Sequence, residues 1–204
     1  ELHRRGLSLL NHHWGIGLPD QLESRLDRLL QAFGGSRAAW PEGELTGHID
    51  GLITGPPLGP CLVEFDEEQH FSPYRRASLD VLEGLVETRF SLEDYRRFCS
   101  SPGTFRAFWR KSRLPATLLP AGGVIEGCSQ LAALLYRHQR ELPRSGYVSP
   151  VAGFPFSGGR IAQRAYYDTL RDCIHESTAW REQGFQPVLR IAVWDPGPGG
   201  APRR

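Results

Sequence analysis

Apolar residues recur at helical spacing in two long stretches of the chain. In residues 18–33, leucines at positions 18, 22, 26, 29 and 30 and the phenylalanine at 33 fall on one side of a helix, and two glycines follow. This spacing predicts an amphipathic helix that ends before Gly34. Residues 160–180 have the same kind of pattern and are followed by Gly184, so we expect a second, longer helix there.

Three shorter segments alternate or are continuously apolar, which predicts β-strands. Residues 45–53 and 61–66 are separated by a segment rich in proline and glycine, and this arrangement favours an antiparallel hairpin. Residues 186–194 form an apolar strand directly after the second long helix. A strand in that position is typical of a crossover connection that returns to the same sheet.

The order of these elements predicts a single α/β domain, with a mixed sheet flanked by helices. Its core would comprise residues 18–71 and 160–194. Residues 72–145 are expected to form a helical insertion, with Ser91 placed as a helix cap. The glycine- and proline-rich tail, residues 196–204, is expected to be disordered.

The composition is that of an ordinary globular protein, and the net charge indicates no particular binding partner. Hydrophobic residues make up 40% and charged residues 23% of the 204 positions, and the formal net charge is +1. The chain has no run of eighteen apolar residues and no recognisable secretion signal, which predicts a cytoplasmic protein without a membrane span. The four scattered cysteines are expected to be free, mostly buried thiols in a reducing compartment rather than zinc ligands.

Acidic residues lie inside the predicted hairpin rather than in a loop. Side chains alternate between the two faces of a strand, so Glu64 and Asp66 share one face, and Asp50 on the preceding strand can converge with Glu64. Converging carboxylates repel one another, and a divalent cation such as Mg²⁺ or Mn²⁺ relieves that repulsion. His70 follows closely and would act as general base or ligand. The alternative is a solvated acidic edge with an ordinary histidine.

This stretch resembles the PD-(D/E)XK nuclease superfamily, and within it the branch of very-short-patch repair and related homing endonucleases. The resemblance is carried by an aspartate on one strand and by the sequence VEFDEEQHF at 63–71 on the next. A second match follows in the expected order, with DTLRD at 168–172, Gly184 with Phe185, and VLRI at 188–191. The two matches together span about 60 residues, over 46–71 and 160–194.

The resemblance implies a restriction-endonuclease-like fold, a divalent metal and hydrolysis of phosphodiester bonds in DNA. It makes Asp50 and Glu64 the metal ligands, places Asp66 where the superfamily often has lysine, and makes His70 the candidate base. The residues expected to contact nucleic acid or phosphate are Gln69, Gln163, Arg164 and Arg171, and Asp168 shares their face of the late helix. The sequence departs from the pattern at Glu67, where a glycine is usual, in lacking the motif lysine, and in its long insertion.

Almost all basic residues are arginines, with Lys111 the only lysine among 24. Those in residues 75–113 could follow a phosphate backbone with aromatic residues interleaved, or simply form a solvated helical face over a buried aromatic stripe. Arg171 could clamp a phosphate beside the metal or pair with a neighbouring aspartate on its own helix.

The sequence therefore favours a Mg²⁺- or Mn²⁺-dependent endonuclease acting on DNA, with bacterial defence or repair as a fitting context. Two alternatives stay open. One is a catalytically degenerate relative of the same fold that only binds nucleic acid. The other is a protein-interaction module, which would contact a partner protein or a second copy of the chain through its helical insertion.

Overall fold

The computed structural model describes residues 17–39, 49–67, 70–100, 150–156 and 159–192. These residues form a mixed α/β structure with a small three-stranded sheet, which agrees with the predicted class. The helices are α1 (Asp20–Ala32), α2 (Pro73–Leu82), α3 (Leu92–Ser100), α4 (Gly159–Cys173) and the short α5 (Thr178–Arg181). The strands are β1 (Gly51–Ile53), β2 (Cys61–Asp66) and β3 (Leu189–Ala192).

Helix α1 forms where the leucine pattern predicted it. Four leucines on one side, Leu22, Leu26, Leu29 and Leu30, are buried, and acidic residues in the first turn are favourable at the positive end of the helix dipole. The helix ends before Gly34, which has a φ of 74° that favours glycine. The sequence pattern predicts this helix correctly because the spacing of the leucines indicates both the helix and the face that it buries.

The sheet has the order β1–β2–β3. β1 and β2 are antiparallel, with Gly51 opposite Val63, so the predicted hairpin is confirmed. β3 is parallel to β2, with Glu64 opposite Arg190, and α4 lies in the connection between them as the crossover predicted from sequence. β1 is shorter than predicted, because Ile49 and Asp50 precede the ladder and residues 45–48 lie outside the described part.

Two further boundaries differ from the sequence prediction. The helix expected over 160–180 ends at Cys173, continues as a 3₁₀ turn over Ile174–Glu176, and is interrupted at Ser177, whose backbone is extended. β3 begins at Leu189 rather than at 186, because Pro187 has no N–H to donate to a ladder and Gln186 N–H instead donates to the Pro60 carbonyl at 2.8 Å.

Helices α2 and α3 fill part of the predicted insertion. Ser72 caps α2 by accepting a hydrogen bond from Arg75 N at 3.1 Å, and Ser91 does the same for Asp94 N at the start of α3, as its position in the sequence predicted. α2 packs against both α3 and α4. The rest of the insertion, residues 101–145, and the tail 196–204 lie outside the described residues, as does Lys111.

The core lies between the sheet and the helices and includes aromatic residues from several elements. Phe71, Tyr74, Phe154 and Tyr166 are all buried in it, so the two halves of the predicted core share one hydrophobic interior. The opposite face of the sheet is more open, and Phe65 keeps 40% of its surface exposed. Of the described helices, none is long and apolar enough to cross a membrane. Cys61, Cys99 and Cys173 are free and buried as predicted, whereas Cys128 lies outside the described residues.

The start of α4 depends on a close backbone approach. A Cβ atom added at Gly159 would lie 2.1 Å from the carbonyl oxygen of Phe154, which belongs to the backbone and cannot move aside cheaply. We therefore expect Gly159→Ala to lower the free energy of unfolding by about 1–3 kcal/mol, as overpacked sites do. Urea unfolding followed by circular dichroism measures this. Gly55→Ala is the control, because nothing lies within 4 Å of its added methyl group, and a loss equal to that of Gly159→Ala would contradict the argument.

Candidate metal centre

The inner face of β2 carries the acidic residues that strand alternation selected. Leu62, Glu64 and Asp66 are buried, while Val63 is half-buried and Phe65 is exposed on the other face. β3 adds Arg190 to the same inner face, since Arg190 is opposite Glu64 in the parallel register and is also buried. The sheet therefore places two acids and one cation side by side in the interior, where ionic groups are stable only when they are paired.

Asp66 is held on both carboxylate oxygens. Oδ2 accepts a hydrogen bond from the Tyr95 hydroxyl at 2.7 Å, and Oδ1 accepts one from Arg190 at 2.7 Å. The same Oδ1 lies 3.3 Å from His70 Nδ1. Tyr95 comes from α3, so the helical insertion contributes directly to the geometry of the acidic site.

Asp66, His70 and Asp168 form a group that could hold a metal ion. One ligand atom from each residue lies within 4.8 Å of the others, and the two aspartates are buried while the histidine side chain is 15% exposed. His70 Nδ1 is 2.9 Å from Asp168 Oδ2, and Arg164 Nη1 is 3.4 Å from Nε2. The Nδ1–H tautomer satisfies both contacts, because the ring then donates to Asp168 and accepts from Arg164.

Asp168 is fully buried, and its surroundings favour the charged form. Burial by itself raises the pKa of Asp168, but the electrostatic interaction and hydrogen bond with His70, together with Arg190 and Arg75, outweigh burial and hold that pKa well below its usual range. Its second oxygen, Oδ1, is 3.2 Å from Arg171 Nη1. Each oxygen of Asp168 thus has a different neighbour, the His70 ring at Oδ2 and the Arg171 guanidinium at Oδ1.

Glu64 is less well compensated than the aspartates. Arg171 Nε lies 3.3 Å from its Oε1, but that oxygen is buried and accepts no hydrogen bond from the described residues. Burial raises the pKa of Glu64 to about 7, and the negative charges of Asp168 and Asp50 add to this effect, while Arg171 and Arg190 oppose it. A buried carboxylate oxygen that accepts no hydrogen bond lowers the free energy of unfolding. Such poorly compensated acids are common in sites that bind a cation.

A second group of charges lies beneath the acidic face. Arg190 Nε donates to Asp172 Oδ1 at 2.5 Å, and Arg75 Nη2 donates to Asp172 Oδ2 at 2.7 Å. Arg190 Nη2 also donates to the main-chain carbonyl of Asp168 at 2.9 Å. These bonds join α2, α4 and β3, so they fix the positions of the strand and the helix that supply the candidate ligands.

Asp50 lies just before β1 and is exposed. Its Oδ2 accepts a hydrogen bond from the Phe65 main-chain N–H at 2.7 Å, which places its carboxylate against β2 beside Glu64. The Asp50 carboxylate is thus bonded to the main chain next to Glu64, and its charge contributes to the raised pKa of Glu64. However, the group of three ligand atoms found among the described residues uses Asp66, His70 and Asp168 instead.

The remaining predicted contacts divide into two kinds. Arg164 and Arg171 lie beside the acidic group, next to His70 and Glu64 respectively. Gln163 is buried, and its amide donates to the Ala152 carbonyl at 2.9 Å while its oxygen accepts from Arg160, so it ties α4 to the segment before it. Gln69 lies outside the described residues.

Sequence reasoning missed three residues that build the site. Arg75 was grouped with surface arginines, but it is 1% exposed and pairs with Asp172, and the roles of Tyr95 and Arg190 were also not foreseen. Arg190 had one available signal, since an arginine in the apolar strand 188–192 requires a buried acidic partner. Tyr95 had none, because its contact with Asp66 spans 29 positions and depends on how α3 packs.

The raised pKa of Glu64 gives a pH-dependent prediction for the metal-free protein. The folded-state pKa of about 7 lies above the ordinary 4.5, so the contribution of Glu64 to stability is fully present below about pH 4.5 and is lost as the pH rises through 7. We expect Glu64→Gln to raise the free energy of unfolding by about 1–3 kcal/mol at alkaline pH and much less near pH 4.5. Urea unfolding across that pH range measures the difference.

Glu93→Gln is the matched control, because it removes an exposed carboxylate at the start of α3. We expect Glu93→Gln to change the free energy of unfolding by no more than about 0.5 kcal/mol across the same pH range. A Glu64→Gln variant that is less stable than the parent protein at alkaline pH would show that the carboxylate is better compensated than its contacts indicate.

Comparison of the chain with protein-family models, with curated proteins and with solved structures found no match in any of the three.

Proposed function

We propose that this protein is a metal-dependent nuclease that hydrolyses phosphodiester bonds in DNA, on a core like that of the PD-(D/E)XK enzymes. The observation that carries the proposal is the group of Asp66, His70 and Asp168, whose ligand atoms lie within 4.8 Å of one another at the carboxyl end of β2. Glu64 lies on the same face with a buried oxygen that accepts no hydrogen bond from the described residues.

The order of elements supports the comparison with that core. A helix precedes an antiparallel hairpin, and a later helix connects the second hairpin strand to a strand parallel to it. The acidic residues lie on the second hairpin strand and on the crossover helix, which are the positions that the resemblance assigns to the active site.

The donor set fits a divalent cation and favours Mn²⁺ over Mg²⁺. Two carboxylates suit either ion, whereas an imidazole nitrogen is a poor ligand for Mg²⁺. The candidate ligands are Asp66, His70 and Asp168, and Asp50 and Glu64 supply further carboxylates from the hairpin. A bound divalent cation would supply Lewis-acid stabilisation of the phosphoryl oxygens and a lower pKa for water.

The protein's own residues would provide positioning, charge and proton transfer. Arg164 and Arg171 lie beside the acids and are suited to bind phosphate oxygens with their planar guanidinium groups. His70 would either ligate the cation through Nδ1, with Asp168 as a second ligand, or accept a proton at Nε2 while its Nδ1–H donates to Asp168 and so fixes the ring. These two roles use different nitrogens, so they can be separated experimentally.

The direct test is cleavage of plasmid DNA by the full chain. We expect cleavage with Mn²⁺, weaker cleavage with Mg²⁺ and none with EDTA. Glu64→Gln should lower the rate by roughly 100-fold or more, because a carboxylate that helps to hold the cation is lost, although the same change is expected to stabilise the fold. Glu93→Gln should cleave like the parent protein. Equal cleavage by the parent and Glu64→Gln would refute the assignment of this site.

His70→Ala separates the two roles of the histidine. If His70 is a ligand, Mn²⁺ binding measured by calorimetry should weaken by about tenfold or more together with cleavage. If His70 is the base, Mn²⁺ binding should persist while cleavage falls by about 100-fold. Unchanged binding and unchanged cleavage would remove His70 from the site.

A second candidate function is nucleic-acid binding without cleavage. It is favoured by Asp66, both of whose oxygens are already engaged by Tyr95 and Arg190, and by the lack of any lysine among the described residues. Binding of an oligonucleotide that is unaffected by Mn²⁺, without cleavage under any metal, would support this function over the first.

A further inference from the structure

Arg171 is placed where a cation would be expected in the acidic site. Its Nε lies 3.3 Å from Glu64 Oε1 and its Nη1 lies 3.2 Å from Asp168 Oδ1, so one guanidinium bridges a strand acid and a helix acid. Both carboxylates are buried, whereas the Arg171 side chain is 13% exposed. Arg171 is thus the most exposed of the three side chains.

We propose that Arg171 is an internal counter-cation that a divalent metal ion replaces between Glu64 and Asp168. The proposal rests on the proposed function for the presence of a metal ion, and it adds that Arg171 opposes metal binding in the free protein. The fixed positive charge must move away from the two carboxylates before a divalent cation can occupy the space between them.

A comparison with Arg190 shows why Arg171 is the cation that can be displaced. Arg190 is completely buried and donates hydrogen bonds of 2.5, 2.7 and 2.9 Å to Asp172, Asp66 and the Asp168 carbonyl. The two contacts of Arg171 with Glu64 and Asp168 are longer, and its side chain reaches solvent. Removing Arg190 would leave buried acids unpaired, whereas Arg171 can leave its position and keep its charge hydrated.

Glu64 provides a separate observation that points to a ligand. It is 3% exposed, and its Oε1 accepts no hydrogen bond from the described residues although a guanidinium lies within 3.3 Å. Arg171 therefore balances the charge of Glu64 without satisfying its oxygen. A metal ion bonded to that oxygen would supply both the charge and the missing partner, which is the condition under which replacement is favourable.

The test is Mn²⁺ affinity, measured by calorimetry on the full chain without nucleic acid. Removing a like charge a few ångströms from the ion should strengthen binding, so we expect Arg171→Gln to lower the Mn²⁺ Kd by about 10- to 100-fold. Arg171→Lys, which retains the charge, should stay within about threefold of the parent protein. The matched control is Arg96→Gln, because Arg96 bridges Asp80 and Glu83 on the surface and should leave the Kd unchanged.

The outcomes separate this proposal from the proposed function. Equal Mn²⁺ affinity in the parent protein and Arg171→Gln would overturn the counter-cation role and leave the metal site standing. No Mn²⁺ binding by either protein would overturn both. Weaker binding by Arg171→Gln would show that Arg171 supports the site rather than opposing the ion.

If Arg171→Gln does not fold, Arg171→Met keeps the aliphatic stem and tests the same loss of charge. The parent protein offers an independent measurement through the ¹⁵N resonance of the Arg171 Nε–H, assigned by its absence in Arg171→Lys. Addition of Mg²⁺ at saturating concentration should shift that resonance towards the position of a solvent-exposed arginine. A resonance that stays unchanged while the ion binds would overturn the proposal.

Discussion

The buried guanidinium of Arg190 is the constraint on which the rest of the site depends. It lies on β3, opposite Glu64, and bonds to Asp66 on β2 and to Asp172 on α4, so it links a strand pair to the crossover helix through charge as well as through packing. Breaking one partner of such a buried pair typically costs about 3–5 kcal/mol, because the remaining charge cannot reach water. The sheet, the helix and the acidic face are therefore stable only in one relative arrangement, and Arg75 reinforces it from α2.

Local pattern was enough to predict the elements, whereas the pairing of charges required the fold. The leucine spacing of α1, the alternation of β2 and the cap at Ser91 are set by neighbours in sequence, and these predictions agree with the structure. Two boundaries were not predicted by the hydrophobic periodicity. The helical segment after α4 is interrupted at Ser177, whose backbone is extended, and β3 starts only after Pro187, which has no N–H to donate. Partners such as Arg75 and Asp172 lie 97 positions apart, so no spacing rule brings them together.

The charges of the site fall into two layers with different properties. In the inner layer, Arg190 and Arg75 satisfy Asp172 with short hydrogen bonds, and this layer has the character of a structural network. In the outer layer, Glu64, Asp168 and His70 contact Arg171 and Arg164 at longer distances, and the side chains of His70 and Arg171 are partly exposed. A structural network gains from saturating every oxygen, whereas a binding site must leave some of its polar atoms available. The location of the unsatisfied Glu64 oxygen in the outer layer favours a ligand there over a purely structural role.

This division also explains why a poorly compensated acid can persist in so small a core. Burial raises the pKa of Glu64 to about 7, so the charged form of this side chain destabilises the folded protein when no ligand is bound. A glutamine at this position would not carry that cost. The inner layer offsets that cost by holding β2 and α4 in place whatever occupies the outer one. A site built in this way keeps its geometry when it is empty. A cation that binds only to the folded state then raises the free energy of unfolding. The same argument accounts for Arg171. As a displaceable internal cation, it partly offsets the negative charge of Glu64 and Asp168 in the empty site, and it leaves Glu64 Oε1 without a hydrogen bond.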